Sequence, residues 1–348
     1  MIKRIRVLIL SCLFTFGIPQ LYADKISDFG RANSSDRPMD IQELERQVQA
    51  GDKNAQFALG VLYYYGEGVV QDKKKTAQLL ERAAAQGLAQ AQYGLGSLYY
   101  YGDGIIRNKE KAAQWYGKAA AQGDKNAQYN FALMYDLGEG VRQDKVKAAQ
   151  LYAQAAAQGD KNAQYNLGLK YSKGEGVHQD KVKAAQLYTQ AAAQGYMKAQ
   201  YNLALMYYQG EGVRQDKLKA AQLFDRVAAQ GGMEAQYNLG VLYDLGEGVR
   251  QDKVKAAQLY TQAAAQGYML AQYNLGVMYD DGEGVTQDKV KAAQLYAQAA
   301  AQGDMKAQYN LGVMYYQGEG VAQDKTRAVQ LFRQACAQGL EQACQQNQ

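Results

Sequence analysis

A fixed period of 36 residues constrains this chain more than any other feature of its sequence. The glycines that close successive copies are Gly51, Gly87, Gly123, Gly159, Gly195, Gly231, Gly267, Gly303 and Gly339. Eight complete copies therefore run from Asp52 to Gly339 without an insertion. A period of roughly 20–50 residues is typical of repeat proteins, in which each unit buries its apolar face only against its neighbours. We therefore expect one repeat array rather than several globular domains.

Each copy contains the pattern of two amphipathic helices. In the first copy the apolar positions are Ala55, Leu59, Leu62 and Tyr63, followed by Thr76, Leu79, Leu80, Ala83 and Ala84. Both sets have the spacing of three and four residues that places side chains on one face of an α-helix. Asp52 and Asp72 stand where helix N-caps are needed, and Gly66 stands where a left-handed residue ends the first helix. The sequence thus predicts an antiparallel helix pair in every copy, joined by a Gly-Glu-Gly loop, or by Gly102-Asp103-Gly104 in the second copy.

The shared pattern AQYNLGVMY, GEGV, QD, KAAQLY and QAAAQG resembles the Sel-one-like repeat, a relative of the tetratricopeptide repeat with a slightly longer period. The resemblance covers Asp52 to Gly339 and implies an all-α fold, a right-handed α-solenoid of antiparallel helix pairs. It also implies a scaffold for protein complexes. The many alanines of the second segment agree with this fold, because small side chains let helices pack closely.

The two ends of the chain differ from the repeats. Basic residues Lys3, Arg4 and Arg6 precede an apolar run from Val7 to Ile18 and a small residue, Ala23, which is the pattern of a secretory signal peptide. The predicted segments are a signal peptide at 1–23, a flexible linker at 24–38, an N-terminal capping helix at 39–51, eight repeats at 52–339 and a truncated ninth repeat at 340–348. We expect export to the periplasm or beyond, with no transmembrane anchor after removal of the signal peptide.

The resemblance places two columns of first-helix residues in a concave groove, because tetratricopeptide-like solenoids bind ligands there. The aromatic column is Phe57, Tyr93, Tyr129, Tyr165, Tyr201, Tyr237, Tyr273 and Tyr309. The varied column is Tyr64, Tyr100, Asp136, Ser172, Tyr208, Asp244, Asp280 and Tyr316. Tyrosine suits protein recognition, because its ring is large and rigid and its tip is polar. Alternatively the aromatic column packs between adjacent repeats, and the varied column is then the better candidate for specificity.

A third column of the same face is asparagine. Its members are Asn130, Asn166, Asn202, Asn238, Asn274 and Asn310. The resemblance implies a clamp for a peptide backbone or a terminal carboxylate; alternatively, each Asn bonds a neighbouring helix end. Lys73 and Lys75 open the second helix, where the helix dipole disfavours cations, so we expect Glu67 in the preceding loop and Asp72 to pair with them.

Two cysteines lie near the C-terminus of the sequence, Cys336 and Cys344, eight residues apart. The same spacing occurs in the cysteine-rich Helicobacter branch of the family, where such bridges join helix pairs. In an oxidising compartment a disulfide would tie the C-terminal segment to the last repeat. The alternative is two separate thiols.

The residues do not indicate an enzyme. The one histidine, His178, occupies a loop position that is Val70, Arg142 and Ala322 in other copies. The Gly-Glu-Gly loops follow helices, whereas phosphate-binding loops follow strands. We expect no catalytic residue, metal or cofactor.

The favoured function is a monomeric, non-catalytic scaffold of the bacterial envelope, or a secreted one, that holds a protein or peptide in the groove. The net charge of +5 falls to +2 without the three cations of the leader, so we expect no nucleic-acid partner. The alternative, taken from cysteine-rich relatives, is a binder or weak hydrolase of cell-wall or β-lactam ligands.

Overall fold

The computed structural model describes residues 41–346, and this part of the chain is folded into eighteen α-helices and their loops. The predicted signal peptide at 1–23 and linker at 24–38 lie outside the described residues. The chain divides into two compact units, residues 1–124 and 125–348.

The first unit contains one helix that precedes the repeats, followed by repeats 1 and 2. Its helices are α1 (Ile41–Gln49), α2 (Lys53–Tyr65), α3 (Lys73–Ala85), α4 (Ala89–Tyr101) and α5 (Lys109–Ala121). Helix α1 occupies the predicted capping segment, and the side chain of Ile41 lies over the Gly68 loop of repeat 1, where an added Cβ would be 2.8 Å from Ile41 Cδ1.

The second unit contains repeats 3 to 8 and a short final helix. The helices are α6 (Lys125–Leu137), α7 (Lys145–Ala157), α8 (Lys161–Lys173), α9 (Lys181–Ala193), α10 (Met197–Gln209), α11 (Lys217–Ala229), α12 (Met233–Leu245), α13 (Lys253–Ala265), α14 (Met269–Asp281), α15 (Lys289–Ala301), α16 (Met305–Gln317), α17 (Lys325–Ala337) and α18 (Glu341–Gln345). The expected all-α architecture of eight helix pairs is confirmed.

The helix ends follow the predicted capping chemistry. In repeat 5, the carboxylate of Asp216 accepts a hydrogen bond from the backbone N–H of Lys219 at the start of α11. Gly210 ends α10 with φ 75°, and its N–H donates to the carbonyl of Met206. Aspartate thus supplies the N-cap acceptor of this second helix, and glycine supplies the left-handed C-cap of this first helix.

Within each unit, the core lies between the two helices of a repeat and the first helix of the next repeat in that unit. Ala220, Ala221 and Phe224 of α11 pack with Ala235 and Leu239 of α12 in one buried cluster. The alanines are 0–3% exposed, which brings the helix backbones close, and Phe224 fills the remaining space.

The Gly-Glu-Gly loop also packs against the preceding repeat. We call the contact between two adjacent repeats of one unit a joint. Gly212 has φ 68°, and a Cβ at this position would overlap the backbone carbonyl of Lys181 in repeat 4. The loop acid Glu211 pairs with the ammonium group of the same lysine at 2.8 Å. Equivalent ion pairs join Lys73 to Asp103, Lys217 to Glu247, Lys253 to Glu283 and Lys289 to Glu319.

These ion pairs correct the expected partner of the first lysine of each second helix. The predicted partner was the acid in the preceding loop of the same repeat, such as Glu67 for Lys73, whereas the observed partner is the acid in the following repeat. The second lysine does pair with the N-cap aspartate, as in Lys219 and Asp216 at 3.6 Å. In all eight repeats the cation at that position also lies 4.2–5.3 Å from the ring centre of the tyrosine that ends the first-helix core stripe.

Within each unit, a buried glutamine bonds to the preceding repeat. Gln236 is 5% exposed; its amide donates to the carbonyl of Ala228 in the preceding repeat, and its carbonyl accepts from Gln266 at the end of its own second helix. One side chain therefore satisfies polar groups on two other helices, and this explains why the position is glutamine in every copy.

The C-terminal segment is joined to the last repeat. Cys336 of α17 and Cys344 of α18 form a disulfide, with their Cα atoms 4.8 Å apart. Ala343 is fully buried against Phe332 and Ala335, so α18 covers part of the apolar face of repeat 8.

Candidate functional site

The tyrosine rings of the aromatic column form a regular row, which we call the aromatic ladder. They pack against aromatic rings of the second helices, and three of their hydroxyls accept hydrogen bonds from asparagines of the next repeat. Each ring from Tyr93 to Tyr309 lies 5.6–6.0 Å from an aromatic ring of its own second helix. The hydroxyl of Tyr201 accepts a hydrogen bond from the amide of Asn238 in the next repeat at 3.0 Å. Longer bonds of the same kind join Asn166 to Tyr129 at 3.4 Å and Asn202 to Tyr165 at 3.5 Å.

The members of this ladder have similar exposure to solvent. The rings are half-buried, apart from Tyr237, which is 8% exposed. Burial raises the pKa of both Tyr165 and Tyr237 to about 12, with smaller contributions from the neighbouring rings of Tyr196 and Tyr268. The phenols are therefore neutral at physiological pH and held in fixed positions. Phe57 is half-buried against the core of the first unit.

The asparagine column has a different bonding partner from the one expected. Asn166, Asn202 and Asn238 donate to tyrosine hydroxyls of the preceding repeat rather than to a helix end. The two polar columns of the face thus support each other across these three contacts between repeats of the second unit.

The varied column lies at the joints as well. Tyr64 and Tyr208 donate hydrogen bonds at 2.8 Å to the loop acids Asp103 and Glu247 of the following repeats. Asp280 instead binds Lys289 at 2.6 Å, and Asp244 is 5% exposed. Tyr100 and Tyr316 each lie under a lysine, at 5.4 and 5.3 Å, and the ring of Tyr316 is 49% exposed. Changes of residue in this column therefore alter contacts between repeats in addition to the surface.

One joint has a buried cation that sequence reasoning missed. Lys170 replaces the methionine or leucine of the other copies and is 5% exposed. Its ammonium group contacts Asp136 at 2.5 Å and Glu175 at 2.9 Å. Burial lowers the pKa of Lys170, but hydrogen bonds to these two carboxylates outweigh burial and raise the pKa above its usual value. The substitution visible in the sequence was the available signal.

Another column was also missed, at the last residue of each first helix, next to the varied column. In the second unit it consists of Leu137, Lys173, Gln209, Leu245, Asp281 and Gln317. All six are exposed, unlike the half-buried aromatic ladder. We call these six residues the outer column. Because they vary between copies, are all exposed and form none of the ion pairs described above, they are accessible positions of this face.

No group of three or more His, Cys, Asp or Glu side chains suited to a metal ion occurs within residues 41–346. His178 is exposed, and its Nδ1 lies 3.0 Å from the backbone carbonyl of Gln179. None of the helices in the described part of the chain is both long and apolar enough to cross a membrane.

Paired 13-residue helices, repeated every 36 residues and joined by glycine-rich loops, define an α-helical repeat protein. The model of the Sel1 repeat matches eight consecutive segments, and the chain belongs to this family. The matched segments are residues 53–88, 89–124, 125–160, 161–196, 198–232, 234–268, 270–304 and 306–340.

Two solved structures illustrate the similarity. A protective antigen of uropathogenic Escherichia coli strains, which has the same repeat fold, is 33% identical, with a TM-score of 0.82. The match covers 88% of this chain and 66% of that chain, so the present sequence spans slightly less than two thirds of that relative. A Sel1 repeat protein from Oxalobacter formigenes is 34% identical over 92% of this chain and 91% of its own, with a TM-score of 0.67. No curated protein matches the sequence.

Proposed function

We propose that this Sel1 repeat protein is a non-catalytic scaffold, exported to the bacterial envelope or secreted, that binds a protein or peptide along the face of its first helices. The observation that carries the proposal is the division of this face into a fixed part and an accessible part. The tyrosine and asparagine ladders are bonded across the joints, whereas the outer column is exposed and differs between repeats.

The division suits recognition by repeats. A ladder with fixed side chains loses little conformational entropy on binding, because packing has already ordered its rings. Exposed residues beside it supply the contacts that distinguish one partner from another. The proposal thus assigns general affinity to the ladder and specificity to the outer column.

The test compares two variants of equal size. In the face variant, Lys173, Gln209, Leu245 and Asp281 become alanine. In the control, the exposed second-helix residues of the same four repeats become alanine, namely Gln186, Gln222, Gln258 and Gln294. All eight positions are exposed, so we expect both variants to retain the circular dichroism and melting temperature of the wild type.

Cross-linking and capture from envelope and culture fractions should then recover a partner with the wild type and with the control. The face variant should lose it. Recovery of the same partner by the face variant, or its loss from the control, would refute binding through the first-helix face.

A further inference from the structure

The outer column carries opposite charges at two places in the second unit. Lys173 ends α8 in repeat 4, and Asp281 ends α14 in repeat 7. Both side chains are exposed, and neither forms an ion pair with another described residue. The residues between them on the column, Gln209 and Leu245, are uncharged.

Neither charge forms one of the ion pairs between repeats, although Lys173 adds to the hydrogen bond from Lys170 in lowering the pKa of the loop acid Glu175. The joint on either side of repeat 7 uses Lys253 with Glu283 and Lys289 with both Asp280 and Glu319. Asp281 lies at the C-terminal end of its helix, where the helix dipole disfavours an anion, and it follows another aspartate. Its position thus opposes local stability, and no contact within its own repeat compensates it.

The charges also differ between copies that are otherwise nearly the same. The second helices of repeats 4 and 7, α9 and α15, differ only at Thr189 and Ala297. Their first helices differ in charge: α8 contains three lysines and no acid, whereas α14 contains two aspartates and no cation. Of these charged residues, Lys170 and Asp280 form ion pairs within the protein, whereas Lys173 and Asp281 are exposed in the outer column of the face that we propose for binding.

We infer that the first-helix face of repeats 4 to 7 binds an extended peptide with opposite charges at its two ends. The acidic end lies against Lys173 of repeat 4, and the basic end lies against Asp281 of repeat 7. Gln209 and Leu245 meet the middle of the peptide with an amide and an apolar side chain. This inference rests on the proposed function, to which it adds the chemistry and the direction of the ligand. Complementary charges at separated points fix the direction of a ligand and exclude the reversed one.

The experiment uses a displayed library of random twelve-residue peptides selected on the full-length protein, followed by synthesis of the enriched sequences. Enriched peptides should have an acidic residue towards one end and a basic residue towards the other. The charge-exchanged protein, K173D with D281K, should bind them about tenfold more weakly, with the loss reduced at high salt. Peptides whose two terminal charges have been exchanged should recover binding to this protein.

The control protein, Q186D with Q294K, introduces the same two charges on exposed second-helix positions of the same repeats and should bind like the wild type. Enriched peptides that bind the charge-exchanged protein as tightly as the wild type would overturn the inference. If the enriched peptides still lose affinity for a protein in which Gln209 and Leu245 are alanine, the face binds peptides, and only the assignment of the acidic end to Lys173 and the basic end to Asp281 is wrong. If that alanine variant binds them unchanged, or if the selection enriches no peptide, the proposed face fails and the inference fails with it.

Discussion

Alanine substitutions at two glycines of the first unit distinguish two contributions to the loss of stability. One is the strain of a left-handed backbone, and the other is the disruption of a joint between repeats. Gly87 and Gly104 have φ values of 83° and 78°, so alanine is strained at both. A Cβ on Gly87 would have no neighbour within 4 Å. A Cβ on Gly104 would lie 2.7 Å from the carbonyl oxygen of Lys73 and 2.8 Å from its carbonyl carbon. Backbone atoms cannot rotate away as a side chain can, so the loop must move.

The expected magnitudes follow from these contacts. Alanine at positive φ costs about 1–2 kcal/mol, partly offset by a less flexible unfolded chain, so we expect Gly87→Ala to destabilise by about 1 kcal/mol. Gly104→Ala adds an overpacking cost of about 1–3 kcal/mol. Movement of the loop also strains the Lys73–Asp103 ion pair, now 2.7 Å long. We therefore expect Gly104→Ala to be about 2 kcal/mol more destabilising than Gly87→Ala.

Urea unfolding of the full-length protein, followed by far-ultraviolet circular dichroism, measures the difference. The curves should be fitted with a nearest-neighbour repeat scheme, because long arrays do not unfold in a single two-state step. The Gly104→Ala change should weaken the coupling between repeats 1 and 2. Equal losses for the two variants would refute the role assigned here to the second loop glycine.

Three further predictions concern buried polar groups. Gln236→Leu should destabilise the protein by about 2–3 kcal/mol, because two hydrogen-bonding groups lose their partner, whereas urea unfolding of the exposed Gln258→Leu control should differ little from the wild type. Lys170→Met should change the unfolding free energy by less than about 1 kcal/mol, because a buried ion pair can be exchanged for an apolar side chain, while Asp136→Ala should cost about 2–3 kcal/mol by leaving the buried ammonium group underpaired; urea midpoints of the two variants test this order. Burial raises the pKa of Tyr237 to about 12, so the unfolded chain loses this proton near pH 10 while the folded chain keeps it. The contribution of Tyr237 to stability is unchanged below pH 10 and should fall by about 3 kcal/mol towards pH 12. Urea unfolding between pH 9 and pH 12 should show a fall in unfolding free energy about 3 kcal/mol smaller for Tyr237→Phe than for the wild type, and equal falls would contradict the assignment.

The helix pairs could be predicted from the sequence because their determinants are local. Asp216 and Gly210 cap helices through groups within four residues of themselves, so capping can be read from one copy. The apolar periodicity likewise needs only the geometry of a single helix. The pairing of Cys336 with Cys344 was expected from the resemblance, and the two residues form a disulfide in the structure.

The joints could not be predicted in the same way, because each one contains residues from two copies. In a periodic sequence the acid that precedes Lys181 and the acid that follows it are both available, and only the packing places the following one, Glu211, within reach. The same ambiguity applies to the asparagine column: an amide such as that of Asn238 has several possible acceptors, and Tyr201 is selected by the stacking of the first helices.

The burial of each side chain shows which differences between repeats reflect internal packing and which lie on the accessible surface of the first helices. Variation at Asp136 and Lys170 looks like variation at a binding surface, yet both residues meet in a buried ion pair, so the two changes are explained by each other. Variation at Lys173 and Asp281 has no such structural counterpart, because these side chains are exposed and make no ion pair within the described part of the chain. Under the proposed function, the bound partner supplies the complementary charge. For this reason the outer column, rather than the more conspicuous tyrosines, is the part of the face on which recognition should be tested.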